Sequence, residues 1–305
     1  MPDILCLGEP LVEFNHTGGT QWRQGFGGDV SNVSVAAARQ GASVGLVTRI
    51  GADGFGAMLD ALWHGEGVDT RHVARDADAP TGLYFVTHGA DGHAFEYRRA
   101  GSAASRMTPE TLPPEVAQAA ILHFSGITQA ISPTARATAE AAAQAVQAAG
   151  GRVSFDPNLR LKLWPLSEAR PAILGALAQC DIALPGLDDA RALLEITEAE
   201  AIVRALLDMG PRIVALTMGR DGVLLGTGDG VRHVPSPVVT AVDATGAGDC
   251  FDGAFLARLQ AGDTAAEAAR YAGHAAALST TDFGAIAPIP DAAAVHRAIA
   301  AAAEA

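Results

Sequence analysis

Short unbroken apolar runs alternate with helix-patterned segments through most of this chain, and few folds accommodate that rhythm. The runs fall at residues 4–7, 44–50, 121–124, 153–155, 182–184 and 213–217. Between them, residues 30–40 read as a helix closed by Gly41. Residues 133–149 read as another, with Ser132 as N-cap and Pro133 at its first position. Strand, crossover helix, strand predicts an α/β fold with a doubly wound, mainly parallel sheet flanked by helices. The last third changes character. Residues 223–226 and 231–234 read as a hairpin, and alanine-rich helices follow at 247–261, 264–279 and 291–303.

Two segments break the pattern. Residues 9–26 and 81–99 are polar, aromatic and alternating, and predict antiparallel strands in a small accessory sheet. Such a sheet on an α/β body commonly serves as a lid or a dimer surface. The 305 residues contain no flexible linker and no repeat of 20–50 residues, so one domain over 1–305 is expected, with lid strands at about 9–26 and 81–100 inserted in it.

Composition narrows the partners. Lys and Arg number 21 against 34 Asp and Glu, a net charge of −13, with no basic run. That argues against nucleic acid or an anionic membrane as partner. Cys6, Cys180 and Cys250 lie far apart, without metal or disulfide spacing. No stretch has membrane-spanning length and the chain opens directly into a strand-like run, so a cytoplasmic location is expected.

Thr245-Gly246-Ala247-Gly248-Asp249 lies between a β-prone run at 238–242 and a helix marked by Phe251, Phe255 and Leu259. Two glycines let backbone N–H groups converge where a helix dipole begins, which makes an anion site. Asp249, in the first helical turn, is placed to take a proton from an attacking hydroxyl. A plain strand–turn–helix corner has the same local form. No Gly-x4-Gly-Lys loop is present, and Leu7-Gly8-Glu9-Pro10 offers no dinucleotide fingerprint.

Gly27-Gly28-Asp29-Val30-Ser31-Asn32 opens the first long helix, where Asp29 and Asn32 can serve vicinal hydroxyls. Asp156-Pro157-Asn158-Leu159-Arg160-Leu161-Lys162 follows a strand, and its two cations could meet one anion. In Glu96-Tyr97-Arg98-Arg99, period 2 puts Tyr97 and Arg99 on one face.

Together with Asp243-Ala244-Thr245-Gly246-Ala247-Gly248-Asp249, these motifs resemble the ribokinase-like (PfkB) carbohydrate kinases, in the family's order and over essentially the whole chain. The segments around Tyr97 and Asp156 are similar to those of 2-keto-3-deoxygluconate kinases, the second also to some fructokinases. The resemblance implies an ATP-dependent sugar kinase acting on a primary hydroxyl, with 2-keto-3-deoxygluconate favoured over fructose. A non-catalytic sugar-binding regulator is the alternative of another class. Asp249 would be the base, Gly246, Ala247 and Gly248 the anion hole, and Arg160 a cation on the substrate or γ-phosphate. Gly27, Gly28, Asp29, Asn32, Tyr84, Tyr97, Arg99 and Asn158 would bind substrate. Lys162, Thr217, Gly219, Gly222 and His274 would border the nucleotide. Asp189 would serve Mg2+, with Gly186 standing where relatives carry Asn. A monovalent cation and a homodimer or higher homo-oligomer built through the lid are further implications.

Overall fold

Burial accounts for the apolar runs. In β1 (Ile4–Leu7) all four residues are buried, and successive side chains enter opposite cores: Ile4 and Cys6 join one, Leu5 and Leu7 the other. A strand covered on both faces has no polar side to alternate with. This is a computed structural model, and it describes residues 1–89 and 92–304. Ala90 and Asp91, within the segment expected to form the lid, lie outside the described residues.

The other strands are β2 (Leu11–Gly18), β3 (Gln21–Gly27), β4 (Val44–Gly51), β5 (Asp69–Asp76), β6 (Leu83–Gly89), β7 (Gly92–Arg98), β8 (Ile121–Ser125), β9 (Arg152–Asp156), β10 (Ile182–Ala183), β11 (Ile213–Thr217), β12 (Val223–Thr227) and β13 (Gly230–Val234). Nine form a sheet in the order β13-β12-β11-β10-β9-β8-β1-β4-β5, parallel except for the β12–β13 hairpin at one edge. The helices are α1 (Asp29–Arg39), α2 (Gly54–Gly65), α3 (Gly126–Ala130), α4 (Pro133–Ala148), α5 (Leu166–Gln179), α6 (Leu187–Leu194), α7 (Ala199–Met209), α8 (Ala247–Gln260), α9 (Ala265–Ser279) and α10 (Ala292–Glu304). α1, α2, α8, α9 and α10 pack on one face of the sheet, α4 to α7 on the other. The expected cap is present, Ser132 accepting from the Ala135 amide at 3.0 Å, and the structure adds a capping box of Thr264 with Glu267 on α9.

Two expectations are corrected. Residues 238–242 form no strand; Val238 is fully exposed, and the segment is anchored at its end, where the Val242 amide donates to the Thr280 carbonyl at 2.7 Å. The small sheet, ordered β3-β2-β6-β7, is two antiparallel hairpins joined by a parallel β2–β6 pair, where antiparallel strands were expected throughout. β2 continues from β1 and β6 from β5, two parallel strands of the main sheet, so both leave it in the same direction. Among the described residues no helix is long and apolar enough to cross a membrane.

Candidate active site

Open α/β sheets bind ligands outside the carboxyl ends of their strands. Here those ends carry Ser125, the last residue of β8, Asp156, the last of β9, with Asn158 beyond it, and Thr217 on β11. Facing them are the N-termini of α1 and α8. The two helices cross at backbone contact: a carbon added at Gly253 would fall 2.4 Å from the Val33 carbonyl oxygen. That crossing brings the Asn32 amide to within 2.7 Å of Asp249 Oδ2, across 217 residues of sequence.

Asp249 is half-buried in the first turn of α8. Burial raises its carboxyl, the Asp29 charge raises it further, and the Asn32 bond and Arg160 only partly oppose them, so it is pushed up to about 7. A carboxyl with that affinity for protons suits a base working near neutrality. Before it, Gly246 adopts a left-handed conformation (φ 75°) and starts the helix. The turn is braced from below: Asp243 accepts from the Thr245 amide at 2.9 Å and the Gly284 amide at 3.0 Å. The Ala247 amide donates to the Ala244 carbonyl at 3.2 Å, while the Gly248 and Asp249 amides, in the first helical turn, have no partner within α8. Amides left over at a helix start can donate to an anion.

Asp29 begins α1 and is buried; the Ser125 hydroxyl and, at 3.4 Å, the Asn158 amide both donate to its Oδ2. Its Oδ1 and the side-chain carbonyl oxygens of Asn32 and Asn158 are buried without partners. Three unused acceptors beside the Asp249 carboxyl are what a polyhydroxylated ligand would fill. Gly27 and Gly28 are required by close approach. A carbon on Gly27 would meet the Tyr84 hydroxyl at 2.5 Å, and Gly28, at φ 92°, lies 2.4 Å by the same measure from the Glu9 carbonyl. Tyr84 and Tyr97 are register partners with rings stacked at 5.9 Å, and the Arg99 guanidinium lies 5.5 Å from the Tyr97 ring.

The remaining expected residues divide. Arg160 is exposed and bonds its neighbour's carbonyl, that of Leu159, at 3.0 Å; Lys162 is exposed beside it. The Asp189 carboxylate accepts from the Leu159 amide at 2.9 Å, so it holds the loop carrying Arg160. Thr217 donates its amide to Pro185, and Gly219 and Gly222 shape the turn that follows, both with positive φ. His274 is buried in α9, with Nδ1 2.9 Å from the Arg270 carbonyl, a partner within its own helix. Among the described residues no three His, Cys, Asp or Glu side chains are arranged to hold a metal ion.

Several acids at the site had no signal in the sequence. Glu13 on β2 is buried and accepts from the Tyr84 hydroxyl, and burial raises it. Glu9 is buried between Arg99 and Ser102; burial raises its carboxyl, with both partners opposing. Asp252, one turn after Asp249, is pushed well up by burial and then by the Asp156 and Asp249 charges, and Asp156 by burial and then by the Asp249 and Asp189 charges. An acid at position 3 of a helix turn reads like any other; only the fold shows that these converge.

Residues 1–292 match the family described as "pfkB family carbohydrate kinase". The chain is 34% identical over 301 residues to the 2-dehydro-3-deoxygluconokinase of Escherichia coli strain K12, covering 93% of this chain and 97% of that one. It is 36% identical over 305 residues to Fructokinase-1 of Oryza sativa subsp. japonica, covering 94% of each. Among solved structures, an E. coli protein described as a ribokinase II, in complex with ATP and Mg2+, superposes with a TM-score of 0.91 at 27% identity, over 99% of this chain and all of that one.

Proposed function

We propose, for a chain that belongs to the pfkB family of carbohydrate kinases and is therefore a sugar kinase, that the acceptor is 2-keto-3-deoxygluconate and the donor MgATP. The observation that carries the reading is Asp249, raised to about 7 and held by Asn32 through Oδ2, next to unspent helix amides. Its Oδ1 takes the proton of the acceptor's primary hydroxyl as that oxygen attacks the γ-phosphorus. The bond from that phosphorus to the β-phosphate oxygen breaks, and ADP leaves. The Gly246, Gly248 and Asp249 amides, with Arg160, stabilise the charge on the phosphoryl group in transit.

Carboxylate donors suit Mg2+, yet the described side chains form no cage for it. Mg2+ would then be held chiefly by the nucleotide phosphates and waters, with Asp189, which accepts from the Leu159 amide, as a protein carboxylate beside the Arg160 loop. Lys162, Thr217, Gly219 and Gly222 border the nucleotide. Asp29, Asn32 and Asn158 take sugar hydroxyls, and Tyr97 packs on its carbons. Fructose is the second reading, and one observation favours it: the Arg99 charge is already paired by Glu9, leaving an acid the exposed cations Arg160 and Lys162.

An ADP-release assay across 2-keto-3-deoxygluconate, its galactonate epimer, fructose and ribose tests the choice. The expected kcat/KM on the keto acid exceeds that on fructose by about tenfold or more, one charged contact's worth. Turnover of ribose with none of the keto acid overturns it. The small sheet is the proposed lid and homo-oligomer surface, on which Trp22 stays 43% exposed beside Phe85. Trp22→Lys should sediment as a smaller species than the unaltered protein; equal sizes would refute the oligomer role.

A further inference from the structure

The chain crosses between its two sheets four times, from β1 to β2, β3 to α1, β5 to β6 and β7 towards β8. All four crossings meet at Glu9. Glu9 itself lies in the first. Gly28, in the second, approaches its carbonyl so closely that an added carbon would fall 2.4 Å away. Gly82, in the third, packs on its carboxylate, where an added carbon would stand 3.1 Å from Oε1. From the fourth, the Ser102 hydroxyl donates to Oε1, and Arg99 forms an ion pair with Oε2. The Glu9 side chain is completely buried and that of Arg99 is 11% exposed.

A buried ion pair is a poor anchor compared with apolar packing of the same volume, because both charges lose their hydration. Its presence here calls for a role beyond joining two sheets. Arg99 supplies that role, since it stands over the Tyr97 ring and its charge reaches Asp29. A guanidinium on a long side chain, among buried carboxylates, would swing to the nearest one that is free. Asp29 has an unpartnered oxygen. Glu9 removes that choice by holding the guanidinium at the lid side of the site.

Resting on the sugar-acid reading above, we infer that Glu9 is a positioning residue: it acts through Arg99, holding the guanidinium beside Tyr97 so that the substrate meets it in one place. Glu9 itself touches neither substrate nor the reacting atoms.

The test is a cycle of Glu9→Gln, Arg99→Met and the double variant, assayed with 2-keto-3-deoxygluconate and ATP. Glu9→Gln should raise KM for the sugar acid by about tenfold, leaving kcat within about twofold and KM for ATP unchanged. In the Arg99→Met background the same change should do nothing further. Ser102→Ala, which removes only the second hydrogen bond, should move KM in the same direction by about two- to threefold. It carries the cycle if Glu9→Gln does not fold. A sheet anchor alone would lower Tm and leave KM in place. An unaltered or lowered KM, or an equal effect with Arg99 already gone, overturns the inference. Failure of the substrate reading shows separately, as an unaltered enzyme that does not turn over the keto acid. The cycle is then run on the best neutral sugar, where Tyr97 and Arg99 still line the site and the same KM rise is required.

Discussion

Asp249→Asn is expected to lower kcat by about 10²–10⁴-fold, the usual worth of a positioned base, with both KM values within a few-fold. Asn keeps the shape and can still bond Asn32, so binding geometry survives while the proton acceptor is lost. ATP turnover that persists at the unaltered rate would remove Asp249 from the mechanism. The pH dependence gives the same residue a second signature. Because the carboxyl is raised to about 7, it is protonated and idle below that pH; kcat/KM of the unaltered enzyme should rise about tenfold per pH unit on the acid side and level off above about 7.

Stability runs the other way. Unfolded, Asp249 ionises near 4, so between about 4 and 7 the unfolded chain holds fewer protons, and the fold weakens as pH rises. Above 7 the full cost of the buried charge is present. Asp249→Asn removes it, so Tm of the variant should exceed that of the unaltered protein by about 2–4 °C at pH 8, corresponding to ~1–2 kcal/mol, with little difference near pH 4. A variant that melts lower at pH 8 would show that the carboxylate is stabilised, contrary to its surroundings.

Gly246→Ala should cost both activity and stability. The residue sits at φ 75°, where an L side chain costs ~1–2 kcal/mol, and the new carbon would stand 3.0 Å from the Ala285 carbonyl oxygen. The 280–285 segment cannot retreat freely, because Thr280 and Gly284 are tied to Val242 and Asp243. The turn must then rotate, and its amides lose their common aim. Removing one well-placed donor typically costs about 10²–10³ in kcat, so a fall of about 10²-fold is expected, with Tm lower by about 2–4 °C. Gly248→Ala is the control for stability: a carbon there meets nothing within 4 Å, and Tm should hold. Equal Tm losses in the two variants would remove the steric argument.

The parts legible in the sequence were those with a local cause. Strands covered on both faces read as apolar runs, and all six anticipated runs are strands of the main sheet. β5 was not anticipated, because an edge strand paired only with β4 can be as polar as Asp69-Thr70-Arg71-His72. The run at 238–242 misled for the opposite reason: Val and Thr fit a strand, but a strand needs a neighbour. The glycine turn and its aspartate were visible because a turn into a helix is built from consecutive residues. Glu9, Glu13 and Asp252 were not, since their meaning depends on partners 71 to 96 residues away: Arg99 and Ser102 for Glu9, Tyr84 for Glu13, Asp156 for Asp252.

β1 has a consequence for how the chain is made. It pairs with β4 on one side and with β8 on the other, Ile4 opposite both Val44 and Ile121. During synthesis the first strand emerges long before its second neighbour. At ribosomal speeds of about 5–20 residues per second, it waits several seconds or more with one edge open. Closing the centre of the sheet also means closing a long loop, which places this fold among the slower ones. The hairpins of the small sheet, each made of neighbouring segments, can form while that edge is still waiting.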